Sequence, residues 1–336
     1  MKTTCAASLA ALLLLGSTSA RADIDGFAPQ PETVTPRVHL IHRPGSTDAP
    51  DEGNSVVIEQ SKGLVVVDAG EASPIGRSVV REIRKISRKP VKYLIYTHDH
   101  GDHSLGAGAF LKAWPHITII STDATSDDMG GAPMDYLKTY SRDYAGEIDF
   151  AKQQLERADL LPEVRAGWQQ LVDAGKNIVN RYRNMKAYLA TLTFSDRLSI
   201  PDDETPVEVL YLEHADTNGG VVVWAPTEKV LYTGDILVEP LPSAAAPNPA
   251  SWIQVLDRVA AYDFAYLIPG HGEVQKDRAY LNKTKATLAK VIDEVTPLAK
   301  KGVALADTCK QTDFKSLTEG LSRISHTGQP IVRGTS

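Results

Sequence analysis

From Arg37 onward, short apolar runs alternate with amphipathic stretches. "RVHLIHR" and "NSVVIEQ" (residues 37–43 and 54–60) alternate apolar and polar positions, which predicts half-buried strands. "GLVVVDAG" (63–70) is a continuous apolar run closed by Asp68 and Gly70, the pattern of a buried strand. In "SPIGRSVVREIRKISRK", Ser73 is a helix N-cap candidate and Pro74 suits the first helical position. Ile75, Val79, Ile83 and Ile86 recur near helical spacing, and Pro90 ends the segment. "VKYLIYT" (91–97) predicts the next buried strand, "SLGAGAFLKAW" a helix and "HITIIS" a strand.

Between about Asp123 and Asp196 the alternation stops. Trp168, Leu171, Val172, Val179, Tyr182, Met185 and Leu189 keep a helical period, and Pro162 divides the stretch into at least two helices. This reads as a helical insertion, either a cover for a sheet edge or a wall over a site. Tyr136, Tyr140, Trp168 and Tyr182 are its candidate lining aromatics, with core packing the competing role. Strands return with "PVEVLYLEH", "GVVVWAP" and "KVLYTGD". A Pro- and Ala-rich loop, the helix "WIQVLDRVAAY" and the strand "FAYLIPGHG" follow, and the C-terminus reads as helical to about Ser325.

The alternation of strands and helices predicts an α/β fold. It also places the chemistry, because side chains at strand exits converge on one edge of such a fold. Seven candidates end predicted strands or sit in the loops just after them: His98, His100, Asp102, His103, His214, Asp235 and His271. Three of the nine histidines fall within "YTHDHGDH" (96–103). Alternate residues of a tight H-x-H-x-D-H turn point in different directions, so one loop can serve two adjacent metal ions. Five imidazoles with two carboxylates suit zinc, and by donor type also iron or manganese. The histidines disfavour an all-oxygen calcium or magnesium site. Asp68 is placed to accept a hydrogen bond from a ligand imidazole, or simply to form the turn before Gly70. Thr97 is placed to brace the histidine loop, and Asp99 is expected to face away from the metals.

Charge and the N-terminus narrow the functional classes. Residues 1–22, "MKTTCAASLAALLLLGSTSARA", read as a secretory signal peptide with cleavage near Ala22. Cleavage takes Lys+Arg from 36 to 34 against 42 Asp+Glu, so the formal charge moves from −6 to −8. An acidic product lacks the basic footprint of a nucleic-acid binder. Cys309 is then the remaining cysteine, so no internal disulfide is expected. The expected location is the periplasm or the medium, with no stable membrane span after cleavage and a small molecule as substrate. Oligomeric state is not legible.

"HDHGDH", the His of "EHADTNGG", the Asp of "YTGD" and the His of "PGHG" resemble, in order, the metal-ligand motifs of the metallo-β-lactamase superfamily. The likeness runs from about Arg37 to His271, interrupted by the insertion, within one domain of residues 23–336. It implies a four-layered αβ/βα sandwich with two metals at one edge. It also implies that His98, His100 and His214 hold the first metal, that Asp102, His103 and His271 hold the second, and that Asp235 bridges them. The antibiotic-destroying branch looks to have Cys where this chain has Asp235. The Asp form resembles thioesterases of the glyoxalase type, lactonases and periplasmic relatives associated with quinoprotein systems. The implied function is zinc-dependent hydrolysis of an ester, lactone, thioester or amide-type bond, β-lactams included. In that reading Asp102 is catalytic, orienting the attacking water and taking its proton. An iron-dependent oxidoreductase and a non-catalytic metal-binding protein are the alternatives. The di-iron form typically has Glu where this chain has His100.

Overall fold

The computed structural model describes residues 29–42, 53–71, 73–131, 148–157, 186–212, 215–239 and 248–304, with isolated positions between 146 and 173 and between 307 and 312. The first sheet carries seven strands in chain order: β1 (Gln30–Thr35), β2 (Val38–His42), β3 (Ser55–Gln60), β4 (Gly63–Val67), β5 (Val91–Ile95), β6 (Thr118–Thr122) and β7 (Leu192–Phe194). The pairings from β1 to β4 are antiparallel, and those from β4 to β7 are parallel. The second sheet follows the order β12-β11-β10-β9-β8, from β8 (Arg197–Ile200), β9 (Val207–Tyr211), β10 (Val221–Ala225), β11 (Val230–Tyr232) and β12 (Tyr266–Ile268). In it β11 and β12 are parallel and the other pairs antiparallel.

Three apolar cores stack the layers. Val65 and Val67 of β4 point between the sheets, where they join Val38, Val56, Ile95, Val209, Val223 and Ile268. Leu64 and Val66, one step out of phase, point the other way, as the strand period of two demands. There they meet α1 (Ser73–Ile86) and α3 (Ala107–Ala113) through Ile75, Val79, Ile83 and Phe110. The outer face of the second sheet packs through Val222, Leu231 and Leu267 onto α5 (Pro249–Ala260) and α6 (Ala279–Lys300). Trp252 of α5 is buried there and donates its indole N–H to the carbonyl of Ile236 at 2.8 Å. The result is the expected four-layered α/β sandwich.

Two sequence expectations need correction. "VHLIH" of β2 is buried at every position, and β3 at all but one, so neither is a half-buried strand. Both lie inside the first sheet and are covered on both faces, and their polar side chains are buried among other side chains rather than solvated. His39, for instance, lies 3.4 Å from the Glu59 carboxylate. The region 123–196 is also not helical throughout. Helix α4 (Asp123–Gly130) opens it, capped by the Thr122 hydroxyl, which accepts from Thr125 N–H. Yet Leu192–Phe194 pairs with β6 as the last strand of the first sheet. Of the aromatics expected to line a site, Trp168 packs its ring edge-on to Phe150 at 5.7 Å, and Tyr136, Tyr140 and Tyr182 lie outside the described residues. Residues 1–22, read from the sequence as a signal peptide, and most of the chain beyond residue 304 also lie outside them. No described helix is long and apolar enough to cross a membrane.

One polar clip joins the sheets away from the strand exits. The Asp202 carboxylate, after β8, accepts from Ser61 N–H and Ser61 Oγ in the β3–β4 turn, and from Glu204 and Thr205 N–H. What little burial there is pushes its pKa up, but the Ser61 hydroxyl and these N–H groups hold it below the usual carboxylate value. Asp202→Ala is expected to lower stability by about 1 kcal/mol, discounted for its partial exposure. A depressed folded pKa stabilises above the ordinary value of about 4 and ceases to do so as pH falls. Urea midpoints of the two proteins should therefore differ most at pH 7, and the gap should narrow as pH falls below about 4 toward the depressed folded value.

Candidate metal centre

The strand exits gather at one edge of the sandwich. β5 ends at Ile95 and runs into Tyr96, Thr97 and the loop from His98 to His100. The short helix α2 (Gly101–Ser104) then carries Asp102 and His103. β11 leads through Gly234 into a 3-10 turn holding Asp235, and β12 leads through Pro269 and Gly270 to His271. Two glycines allow this convergence. Gly234 has φ +50°, and a Cβ there would lie 2.7 Å from Thr97. A Cβ at Gly270 would fall 2.0 Å from the Asp235 carboxylate, so only hydrogen fits.

Asp68 organises the floor. It sits at φ 62°, the left-handed region that Asp and Asn tolerate best among residues with side chains, so the turn and the contact role coincide. Its Oδ1 accepts from Thr97 N–H at 2.8 Å. Its Oδ2 accepts from Thr97 Oγ1 at 2.8 Å and from the Tyr232 hydroxyl at 2.7 Å, and lies 2.8 Å from His103 Nδ1. His103 therefore donates through Nδ1, and its Nε2 lone pair faces the cluster. With its proton given to Asp68, Thr97 Oγ1 accepts from His98 Nδ1 at 3.0 Å, which turns His98 Nε2 inward too.

The side chains form two adjoining groups. His98, His100, Asp216 and Asp235 each offer one ligand atom, all within 4.8 Å of one another, and so do Asp102, His103 and His271. Asp235 stands between them, its Oδ2 3.7 Å from His98 Nε2 and its Oδ1 3.1 and 3.4 Å from His103 and His271 Nε2. Asp102 Oδ2 lies 3.1 Å from His103 Nε2 and 3.0 Å from His271 Nε2. Asp99 is buried but belongs to neither group. His214 lies outside the described residues.

The electrostatics call for positive charge between these groups. Burial holds the His98 pKa well below the usual imidazole value, and His103 and His100 push it further down. Burial also opposes charge on His103 and His271, yet their carboxylates prevail. Asp102, Asp235 and Asp68 hold His103 well above its usual value, and Asp235 and Asp102 push His271 up to about 10. Asp102 and Asp235 resist their own burial and lie well below the usual carboxylate value, chiefly because of His103. Burial and the neighbouring Asp235 push Asp216 up to about 7. Among the described residues, His98 Nε2, Asp235 Oδ1 and both Asp216 oxygens are buried with no hydrogen-bond partner, Asp235 Oδ1 facing His103 and His271 Nε2 across 3.1 and 3.4 Å. Imidazole and carboxylate donors with inward lone pairs and orphaned buried atoms fit divalent cations in both groups.

Protons occupy part of that space when no metal does. A histidine whose folded pKa is raised stabilises the fold fully below its ordinary pKa of about 6.5, and the gain is lost as pH rises through the folded value. The urea midpoint of metal-free protein is therefore expected to fall between pH 7 and pH 10. A flat or rising midpoint would contradict this arrangement.

Three contributors were not singled out from the sequence. Asn54 donates through Nδ2 to the carbonyls of Pro269 and Gly272, and its own N–H reaches Gly270 O, so it clamps the His271 loop. Tyr232 was read only as a strand residue; burial and Asp68 keep its phenol protonated and donating. Asp216 stands in "EHADTNGG", where the neighbouring histidine drew the assignment.

The family model described as "Metallo-beta-lactamase superfamily" matches residues 48–271, a span that takes in both groups and ends on His271. The chain belongs to the metallo-β-lactamase superfamily. Among superfamily members it is 25% identical over 269 residues to the linear primary-alkylsulfatase of Pseudomonas sp. (strain ATCC 19151), covering 74% of this chain and 47% of that protein. It is 30% identical over 86 residues to the metallo-beta-lactamase type 2 of Bacteroides fragilis, covering 24% of this chain and 34% of that one. The chain thus spans about half or less of the length of these curated relatives. Its fold matches the stereoselective inverting sec-alkylsulfatase of Pseudomonas sp. with a TM-score of 0.59 at 18% identity, over 85% of this chain and 45% of that one. It matches the metallo-beta-lactamase from Pontibacter korlensis with a TM-score of 0.53 at 16% identity, over 78% and 99%.

Proposed function

We propose that this superfamily member is a dinuclear zinc hydrolase that cleaves an ester-type bond of a small molecule. The observation that carries the reading is the pair of adjoining His/Asp groups sharing Asp235. A structural zinc site closes with four ligands, whereas two groups sharing a carboxylate suit a two-metal hydrolytic centre. The first group, with His214 as expected from its motif, would hold one cation, and Asp102, His103 and His271 the other. The cations would supply a water of pKa near 7 and polarise the scissile bond.

The protein's own groups do the rest. Asp68 and Thr97 fix the tautomers of His103 and His98, so both rings present Nε2. Among the carboxylates of the centre, Asp102 is the most exposed, at 18% against 7% for Asp235 and 3% for Asp216. In this reading Asp102 orients an entering water and accepts its proton, and its exposure on the open side supports that role. His100, 35% exposed, stands on the same open rim. Asp235 keeps the two groups in register.

The alkylsulfatase likeness, which spans most of this chain, puts alkyl sulfate esters first among the substrates to test. Carboxylic esters, lactones and thioesters follow. β-Lactams rank behind, since the relative of that name matches only 24% of the chain. The first 22 residues support export, and the acidic charge supports a small-molecule partner over nucleic acid. Zinc-loaded protein should turn over at least one of these classes, and chelation or His98→Ala should abolish that turnover. Full zinc content with no turnover across the panel would leave a binding protein instead.

A further inference from the structure

Asp216 is the group in the centre whose placement nothing so far explains. Its side chain is 3% exposed, and neither carboxylate oxygen has a hydrogen-bond partner among the described residues. The facing His100 Nδ1 is 3.8 Å away, too far for a hydrogen bond. A buried carboxylate left this way is costly unless a cation meets it. It lines the same small pocket as His98 and Asp235, together with Thr97, Thr217 and Thr233. His98 Nε2 is likewise buried without a hydrogen-bond partner among the described residues, and His98, His100, Asp216 and Asp235 each offer a ligand atom within 4.8 Å of the others.

We infer that Asp216 is a direct ligand of the first cation, alongside His98, His100 and Asp235. The inference rests on the two-cation reading above but is reached independently of His214. A purely structural Asp at this place would accept backbone or side-chain N–H groups, as Asp68 and Asp202 do. Among the described residues Asp216 accepts none. Two imidazoles with two carboxylates form a harder, more anionic donor set than an all-histidine one. Such a set takes zinc and raises the relative affinity for manganese(II) and iron(II).

The test compares wild-type protein, Asp216→Asn and Asp216→Glu. Zinc affinity is titrated against a chromophoric chelator, cobalt(II)-loaded samples are read by visible absorption, and the urea midpoint of each metal-free protein is measured. Asp216→Asn should bind one equivalent as wild type does and the other at least about 10-fold more weakly, with a changed cobalt spectrum. Its metal-free form should be at least as stable as wild type, because an unpartnered charge is gone. Asp216→Glu should bind the second equivalent more tightly than Asp216→Asn. Unchanged affinity and spectrum in Asp216→Asn would overturn the assignment, as would a metal-free Asp216→Asn that fails to fold, which marks a structural role. Wild-type protein without two tight equivalents would overturn the two-cation reading itself, and the assignment with it.

Discussion

His103→Ala is expected to lower kcat/KM by about 1,000-fold or more and to remove one zinc equivalent. The size of the effect follows from how many roles one buried ring fills. His103 is fully buried, with Nδ1 on Asp68 and Nε2 within 3.1 Å of both Asp102 and Asp235. Alanine leaves a ring-sized void against Gly53, whose missing Cβ makes room for the imidazole. It also leaves Asp68 without the Nδ1 partner it holds at 2.8 Å, and removes the imidazole that stands 3.1 Å from both Asp102 and Asp235. Steady-state kinetics on the best substrate of the panel, with metal content measured on the same sample, checks both halves. Wild-type turnover with full zinc content would remove His103 from the centre.

The second large effect is on the fold. Asp68→Ala is expected to destabilise by about 3–5 kcal/mol, the range for removing one partner of a buried charged pair. Thr97 N–H, Thr97 Oγ1, the Tyr232 hydroxyl and His103 Nδ1 all converge on this carboxylate, which has no solvent exposure. Alanine also has no side chain to ease a φ of 62°. Asp68→Asn separates the two causes. Asparagine tolerates the same backbone, so most of the backbone cost disappears. Its amide, however, cannot accept four bonds and fix the His103 tautomer, so zinc affinity should still fall about 10–100-fold. Urea melts and zinc titrations of the pair would show this. Equal stability of Asp68→Ala and wild type would contradict the role of the carboxylate as the hub of the floor.

The sequence revealed the centre where a motif and a strand exit coincide. His98, His100, Asp102 and His103 share one loop, and Asp235 and His271 each follow a legible apolar run, so local pattern alone aligns them. The α/β character was legible for the same reason, since period-two strands alternate with period-3.6 helices, whereas the four-layered arrangement was implied by the family resemblance. Asn54 and Tyr232 were not legible, because their partners lie far along the chain, and Asp216 was not, because His98 and His100, with which it is grouped, lie far along it too. Tyr232 meets Asp68 across 164 positions, and Asn54 meets Pro269 across 215. In "EHADTNGG" a polar Asp looks like any loop residue until burial strips it of partners. The burial of β2, and of β3 at all but one position, was hidden by their polar residues, which sit within the sandwich rather than in solvent. Leu192–Phe194 is too short to announce a strand beside a long helical pattern, and only pairing with β6 makes it one.

The central claim is that two cations share Asp235. Crystals of zinc-loaded protein, measured on both sides of the zinc absorption edge, test it most directly. Two anomalous peaks about 3.5–4 Å apart are expected, one among His98, His100 and Asp235 and the other among Asp102, His103 and His271. No peak at this edge of the sandwich, or a single closed four-ligand site away from Asp235, would contradict it.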